Sequence, residues 1–193
     1  MSVSECRKFE RKVAFHLSPS LLGVKCAGII SVNEGEFDIE AHIRRFNSMT
    51  RSGRLKMRRL FSCGKRSLIM VYRVDLLEKR ISSESEFLAM YGYPGGISAD
   101  EALDILSSRI SCESGFPHEI GVFLDYPIED VKGFIRHKGQ NFKLCGYWKV
   151  YENVDRSRKL FEKYDWCRSY LCNKLDRGCD LYQALKLING GIL

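Results

Sequence analysis

The arginine side chains of segment 41–66 are the largest group in the sequence with a possible chemical role. The segment reads "AHIRRFNSMTRSGRLKMRRLFSCGKR" and holds nine Lys or Arg residues and no Asp or Glu, whereas the rest of the chain has a net charge of −2. A guanidinium group presents paired donors that match a phosphate. The segment therefore predicts contact with a phosphate-containing ligand or a nucleic acid, although a solvated basic face would leave the same pattern. The predicted anion-binding residues are Arg44, Arg45, Arg51, Arg54, Arg58 and Arg59, of which Arg51, Arg54 and Arg58 share one helical face if the helix continues past Gly53.

A second candidate is a histidine with a cysteine. His118 could meet Cys145 or Cys112 and form a Cys–His nucleophile pair, or such residues could bind a metal or a haem. The alternative is that the cysteines are small buried hydrophobic residues and the histidine is hydrogen-bonded. The chain has eight cysteines but no CxxC pair and no signal peptide, so reduced thiols are expected and no particular cofactor is indicated.

A third candidate lies after the apolar run 119–124. Asp125 and Tyr126 follow this predicted strand, and acidic side chains at 129 and 130 begin the next predicted helix. The carboxylates could hold a cation or act as an acid or base, or they could only stabilise the helix N-terminus. His118 and the Asp125–Tyr126 pair would lie roughly 20 Å apart, at opposite ends of the strand, and so form two separate candidates. No GxGxxG, Walker A, HExxH or GxSxG motif indicates an enzyme class.

These residues must be positioned by alternating strands and helices. Hydrophobic patterns predict strands at 24–32, 67–73, 119–124 and 145–151. Helices are predicted at 3–17, 37–51, 75–80, 84–91, 99–110, 128–138, 154–176 and 180–188, and the Ser98–Glu101 spacing indicates a capping box. The order predicts a single-domain α/β fold with a sheet of about four strands, mostly parallel or mixed, flanked by helices.

The composition narrows the class of protein. With 193 residues, 45% of them hydrophobic and 28% charged, the chain is expected to fold as one globular domain. It has no apolar run of about 18–20 residues that would span a membrane. Its N-terminus has no apolar core of a signal peptide, so a cytoplasmic location without a membrane partner is expected.

Four stretches carry a resemblance to a known family. They are "HLSPSLLGVKCAGIISV", "SLIMVYR", "FPHEIGVFLDYPIEDVKGFI" and "KLCGYWKVYENVDRSRKLFEKYDWCRSYL". Together they resemble an uncharacterised bacterial family, mainly from anaerobic Firmicutes, that is classed as a domain of unknown function. The resemblance covers about residues 10–185 and implies a small, soluble, single-domain protein. It supplies no catalytic residues, and segment 33–66 is its least distinctive part.

Overall fold

The fold combines helices with two small antiparallel sheets. A computed structural model describes residues 1–50, 54–113 and 115–189. The helices are α1 (Val3–Leu21), α2 (Ile39–Met49), α3 (Val74–Ser83), α4 (Ser85–Ala89), α5 (Ala99–Arg109), α6 (Ile120–Phe123), α7 (Ile128–Arg136), α8 (Val154–Asp176) and α9 (Leu181–Asn189). The strands are β1 (Ala27–Asn33), β2 (Leu55–Cys63), β3 (Arg66–Arg73), β4 (Leu144–Cys145) and β5 (Lys149–Val150).

The main sheet has three strands in the order β1-β3-β2, and both pairings are antiparallel. The central strand β3 is buried on both faces: Ile69 and Val71 join one apolar cluster, and Met70 and Tyr72 join another. This burial explains why 67–73 is a nearly continuous apolar run. The predicted strands 24–32 and 67–73 are confirmed as β1 and β3. The predicted single sheet of about four strands, mostly parallel or mixed, is wrong, because the described residues form antiparallel sheets of three and two strands.

Helices cover both faces of this sheet. One apolar cluster joins the sheet to α1, α2, α8 and α9, and the other joins it to α3–α7. A third, smaller cluster packs Trp148 and Val150 of the β4–β5 hairpin region against Tyr164 of α8. The hairpin is thereby fixed at the side of the α6–α7 layer. None of the described helices is long and apolar enough to cross a membrane.

The predicted strand 119–124 is wrong, because residues 120–123 form the short helix α6. Ile120, Val122 and Phe123 are all buried, so the run has no exposed face that would distinguish a strand from a buried helix. Gly121 lets α6 lie directly on α7, since a Cβ atom there would stand 2.7 Å from Val131 Cγ2. Asp125 then reverses the chain with a φ of 58°.

Segment 41–66 also differs from its prediction. The helix predicted at 37–51 is present as α2, but residues 55–63 form the edge strand β2 and not a helix. Leu55 and Met57 are buried while Lys56 and Arg58 are half-buried, which is the alternation of a strand with one face on the core. Arg54 and Arg58 therefore do not lie on a helical face, and Arg51 lies outside the described residues.

The predicted strand 145–151 is replaced by a small hairpin, because residues 144–150 form β4, a turn and β5. Leu144 pairs with Val150 and Cys145 with Lys149, in an antiparallel arrangement. The intervening "GYW" places two aromatic side chains, Tyr147 and Trp148, at the hairpin turn. These rings become walls of the site described below.

Candidate functional site

A cleft of about 450 Å³ lies between the α6–α7 layer and the β4–β5 hairpin. The preceding loop, α6, α7 and the hairpin all contribute to its walls. The wall is mostly apolar, and five of its twelve residues are aromatic. The aromatic residues are Phe116, Tyr126, Phe134, Tyr147 and Trp148, and His118 and Lys149 add polar side chains. Since the rings come from separate segments of the chain, the cleft exists only when these elements are packed together.

Asp130 in the first turn of α7 fixes the indole of Trp148. Its carboxylate is 3% exposed and accepts hydrogen bonds from Trp148 Nε1 at 2.7 Å and from the backbone N–H groups of Tyr151 at 2.7 Å and Glu152 at 3.1 Å. The sequence suggested that this acidic residue acts on its own helix N-terminus, on a cation or as an acid or base. Its three hydrogen bonds instead tie α7 to the end of the hairpin, and they satisfy a buried charge.

The two tyrosines of the cleft are held by their hydroxyl groups. Tyr126 stacks on Trp148 with ring centroids 5.1 Å apart, and its hydroxyl donates to the Tyr147 carbonyl oxygen at 3.5 Å. The Tyr147 hydroxyl donates to Asp165 at 2.7 Å and accepts from Arg168 at 2.8 Å. Burial raises the pKa of Tyr147 to about 12. Both hydroxyl groups are therefore protonated near neutral pH and directed to protein partners.

His118 and Lys149 flank the Phe134 wall. The His118 ring lies edge-on to Phe134 with centroids 5.5 Å apart, and Lys149 Nζ lies 5.8 Å from the Phe134 centroid. Lys149 Nζ also donates to the Gly139 carbonyl oxygen at 2.7 Å and lies 5.0 Å from the Phe142 centroid. Within the described ranges, no carboxylate lies within 4 Å of this ammonium group and no hydrogen bond is formed by the His118 ring. These two side chains form the polar end of the cleft.

The structure brings together two residues that the sequence predicted to be far apart. His118 and Tyr126 line the same cleft, although a strand between them would separate them by roughly 20 Å. The predicted distance is too long because residues between His118 and Tyr126 form helix α6, which rises only about 1.5 Å per residue. In addition, the chain folds back after α6, where the Tyr126 N–H donates to the Gly121 carbonyl oxygen at 2.9 Å. The strand-like pattern therefore predicted two separate sites, whereas His118 and Tyr126 belong to one cleft.

Asp125 has a different role from its neighbour Tyr126. Its carboxylate accepts the backbone N–H of Cys26 at 3.1 Å and lies 3.7 Å from Arg80 Nε. It is not part of the cleft wall. The Cys26 thiol donates to the Phe123 carbonyl oxygen at 3.4 Å, so both contacts join the turn after α6 to the start of β1. Asp125 is thus placed to hold the turn that directs Tyr126 into the cleft.

Lys25 is a buried amine that the sequence analysis missed. It is 9% exposed, and its Nζ lies 5.0 Å from the Tyr126 centroid and 5.8 Å from the Tyr164 centroid. Burial lowers the pKa of Lys25 to about 8. Among the described residues its ammonium group has no hydrogen bond and no ion pair within 4 Å. The two rings and, at longer range, the Asp125 carboxylate favour its charged form. The available signal was a lone lysine inside the apolar run "LLGVKCAGII".

The cysteine candidates do not assemble with His118. Cys63 and Cys112 form a disulfide, which corrects the prediction of reduced thiols and leaves Cys112 without a nucleophilic sulfur. Cys145 is a free, exposed cysteine on β4 that is not part of the cleft wall. In the described part of the chain, no group of three or more His, Cys, Asp or Glu side chains is arranged to hold a metal ion. A redox, metal or haem role gains no support from this arrangement.

The predicted anion-binding arginines are largely paired with carboxylates of the same chain. Arg45 lies 3.2 Å from Glu10, Arg58 lies 2.6 Å from Asp104, and Arg59 lies 3.0 Å from Glu40. Arg44 and Arg54 are exposed, and neither has an ion-pair partner among the described residues. Anion binding through segment 41–66 stays a prediction, and Arg51, the sixth predicted residue, lies outside the described residues. The pairs attach β2 and α2 to their neighbours.

The structure therefore defines a mixed helix-and-strand protein with an aromatic cleft. The chain belongs to the family DUF3793, described as "protein of unknown function", whose model matches residues 13–185. This match confirms the resemblance to a domain-of-unknown-function family and includes every residue of the cleft. No curated protein and no solved structure matches the chain.

Proposed function

We propose that this protein binds a small molecule with a planar ring in the aromatic cleft. The observation that supports the proposal is a concave site whose walls carry five aromatic side chains from separate segments. The volume of about 450 Å³ lies within the range of roughly 300–1,000 Å³ that is usual for small-molecule sites. A fused two-ring compound is of suitable size.

The rings are held in place before any ligand arrives. Trp148 is fixed by the Asp130 carboxylate, Tyr147 by Asp165 and Arg168, and Tyr126 by its stacking on Trp148. These contacts engage the polar tips of the rings. The ring surface that a ligand can contact is mainly that of Phe116, which is 50% exposed, and of the half-buried Phe134 and Tyr147, whereas Trp148 is only 6% exposed. Rigid aromatic walls lose little conformational entropy on binding, which favours a planar ligand that can stack on them.

The indole N–H signal of Trp148 in a ¹⁵N–¹H NMR spectrum provides a direct test. The chain has two tryptophans, and Trp166 is exposed on α8, where it stacks on Tyr170. A Trp166→Phe variant preserves that stack and leaves one indole signal. We expect 2-naphthylmethanol to shift this signal saturably, with a dissociation constant of about 1 mM or below for a ligand of this size.

A saturated analogue tests whether the ring system is recognised. Decahydro-2-naphthylmethanol has the same carbon skeleton but no aromatic faces, and we expect it to bind about threefold to tenfold more weakly. If 2-naphthylmethanol produces no saturable shift, the proposed function is wrong. If the two compounds bind equally well, the cleft recognises apolar bulk and not a planar ring.

Two exposed apolar side chains form a matched pair for mutation. Phe116 lines the cleft and is 50% exposed, whereas Met49 on α2 lies outside it and is 43% exposed. Neither replacement by alanine removes a buried side chain, so both variants are expected to fold. We expect Phe116→Ala to weaken binding of 2-naphthylmethanol and Met49→Ala to leave it unchanged. Equal affinities in the two variants would place the binding site elsewhere.

A further inference from the structure

The polar groups of the cleft differ in whether they are already hydrogen-bonded to the protein. At the aromatic end, the indole N–H of Trp148 and the hydroxyl groups of Tyr126 and Tyr147 are engaged with protein partners. At the other end, His118 and Lys149 flank Phe134 and have donors that the protein does not use. A ligand that enters the cleft therefore meets its available side-chain donors beside Phe134.

Lys149 gives this end a positive charge. Its ammonium group has three donors, of which one is directed to the Gly139 carbonyl oxygen. Its nearest aromatic neighbours are Phe134 and Phe142, and no carboxylate among the described residues balances its charge. An ammonium group that is half-buried against two rings is partly desolvated, which strengthens its interaction with an anion.

The one carboxylate in the cleft wall does not reverse this preference. Asp130 is buried, and its two oxygens accept three N–H donors from the hairpin and the residues after it. Those donors compensate its charge locally, so a cationic ligand would find no unengaged acceptor there. The unbalanced charge of the cleft is that of Lys149.

We propose that the cleft selects a planar aromatic anion, whose negatively charged group contacts Lys149 Nζ while its ring stacks against the aromatic wall. The inference rests on the proposed ring-binding function and adds the charge of the ligand to it. His118, on the same Phe134 wall, supplies a second hydrogen-bonding group whose donor depends on the tautomer. A carboxylate or a phosphate attached directly to a fused ring has this chemistry.

Three naphthalene derivatives with one ring system and three charges test the inference. In the Trp166→Phe protein, the indole signal of Trp148 is titrated with 2-naphthoate, 2-naphthylmethanol and 2-naphthylmethylammonium. We expect 2-naphthoate to bind at least tenfold more tightly than the alcohol, as a charge-assisted contact implies, and the ammonium compound to bind most weakly. The advantage of 2-naphthoate is also expected to decrease as salt is added.

Replacing Lys149 isolates its contribution. Lys149→Met retains the side-chain stem and removes the charge, and we expect it to abolish the preference for 2-naphthoate over the alcohol. Lys149→Arg is expected to retain that preference. Lys143→Met is the control, because Lys143 precedes the same hairpin, lies 3.9 Å from Glu152 and is outside the cleft wall.

The outcomes separate this inference from the proposed function. Failure of all three compounds to bind would overturn ring binding itself. Binding of all three with equal affinity would overturn only the preference for an anion. An unchanged preference in folded Lys149→Met would exclude Lys149 as its source. Because the ligand series in the Trp166→Phe protein with Lys149 intact is informative alone, the inference is testable even if a Lys149 variant fails to fold.

Discussion

The buried ammonium group of Lys25 makes the stability of the protein depend on pH in a predictable direction. Burial lowers its pKa from the usual 10.5 to about 8, so the folded protein binds this proton less tightly than the unfolded chain does. Below pH 8 both states are protonated, and the folded state carries the whole penalty of burying the charge. As pH rises from 8 to 10.5, the folded state loses the proton first and the penalty disappears.

The size of the effect follows from the pKa difference. A shift from 10.5 to about 8 corresponds to about 3 kcal/mol, since each pKa unit is about 1.4 kcal/mol. Lys25→Met retains an unbranched side chain of similar length and removes the charge. We expect its stability advantage over the wild type to decrease by about 3 kcal/mol between pH 7 and 10.5. The contacts of Lys25 with Tyr126 and Tyr164 offset part of the advantage at pH 7.

Urea denaturation of both proteins at pH 7, 8, 9, 10 and 10.5 measures this change. The difference between the two proteins is the quantity to compare, because burial raises the pKa of Cys26 and Tyr164 and thereby lowers the stability of both proteins at alkaline pH. Lys143→Met serves as the control, because it removes the same charge from an exposed position and not from a buried one. A difference between wild type and Lys25→Met that does not vary with pH would refute the assignment of Lys25 as a buried, destabilised cation.

Three further predictions concern the disulfide, the buried carboxylate and the basic segment. Reduction of Cys63–Cys112 opens a loop of 49 residues and should destabilise the fold by about 4 kcal/mol; equal melting temperatures with and without dithiothreitol would contradict this. Asp130→Asn introduces a donor where three N–H groups converge and should lower stability by about 2–4 kcal/mol in urea; an unchanged midpoint would contradict the role of the carboxylate. If segment 41–66 binds anions, Arg44→Ser with Arg54→Ser should weaken binding of a single-stranded oligonucleotide and flatten its salt dependence. Equal affinities across a salt series would refute that prediction.

Helices with strong local signals could be predicted from the sequence. The capping box at Ser98 and Glu101 is present in both directions at the start of α5, and α8 spans the predicted residues 154–176. These signals depend on contacts within a few residues, so one sequence contains them in full. The helix predicted at 128–138 is likewise confirmed as α7, which ends two residues earlier.

The strands were less predictable because their patterns depend on what packs around them. The run 119–124 is buried on all sides, and such a run is compatible with either a strand or a helix. In β2, the alternation of Leu55 and Met57 with Lys56 and Arg58 was the strand signal, but the arginine spacing favoured a helix. Three long cationic side chains on this strand, those of Lys56, Arg58 and Arg59, meet carboxylates distant in sequence, and no local pattern indicates such partners.

The sequence contains both segments that form the cleft, but no pattern in it indicated that the two segments face each other. The stretch 116–139 and the residues "CGYWKVY" supply every residue of its wall, and both contain residues that the sequence predicted as candidates or as strands. Predicting that they face a common space required two facts that sequence patterns did not contain. One is that 120–123 is a single helical turn, and the other is that Asp125 has a positive φ. Both shorten the path between His118 and Tyr126.

Two buried charges of opposite sign support the rings of the cleft without serving as its ligand groups. Asp130 holds the indole of Trp148 through a hydrogen bond, and Lys25 lies against the ring of Tyr126, which stacks on the same indole. Changing either charge should therefore alter stability and ring position together. Lys149 differs because its ammonium group flanks the cleft with no carboxylate partner among the described residues. Its removal should change which ligand is selected while leaving the aromatic wall in place.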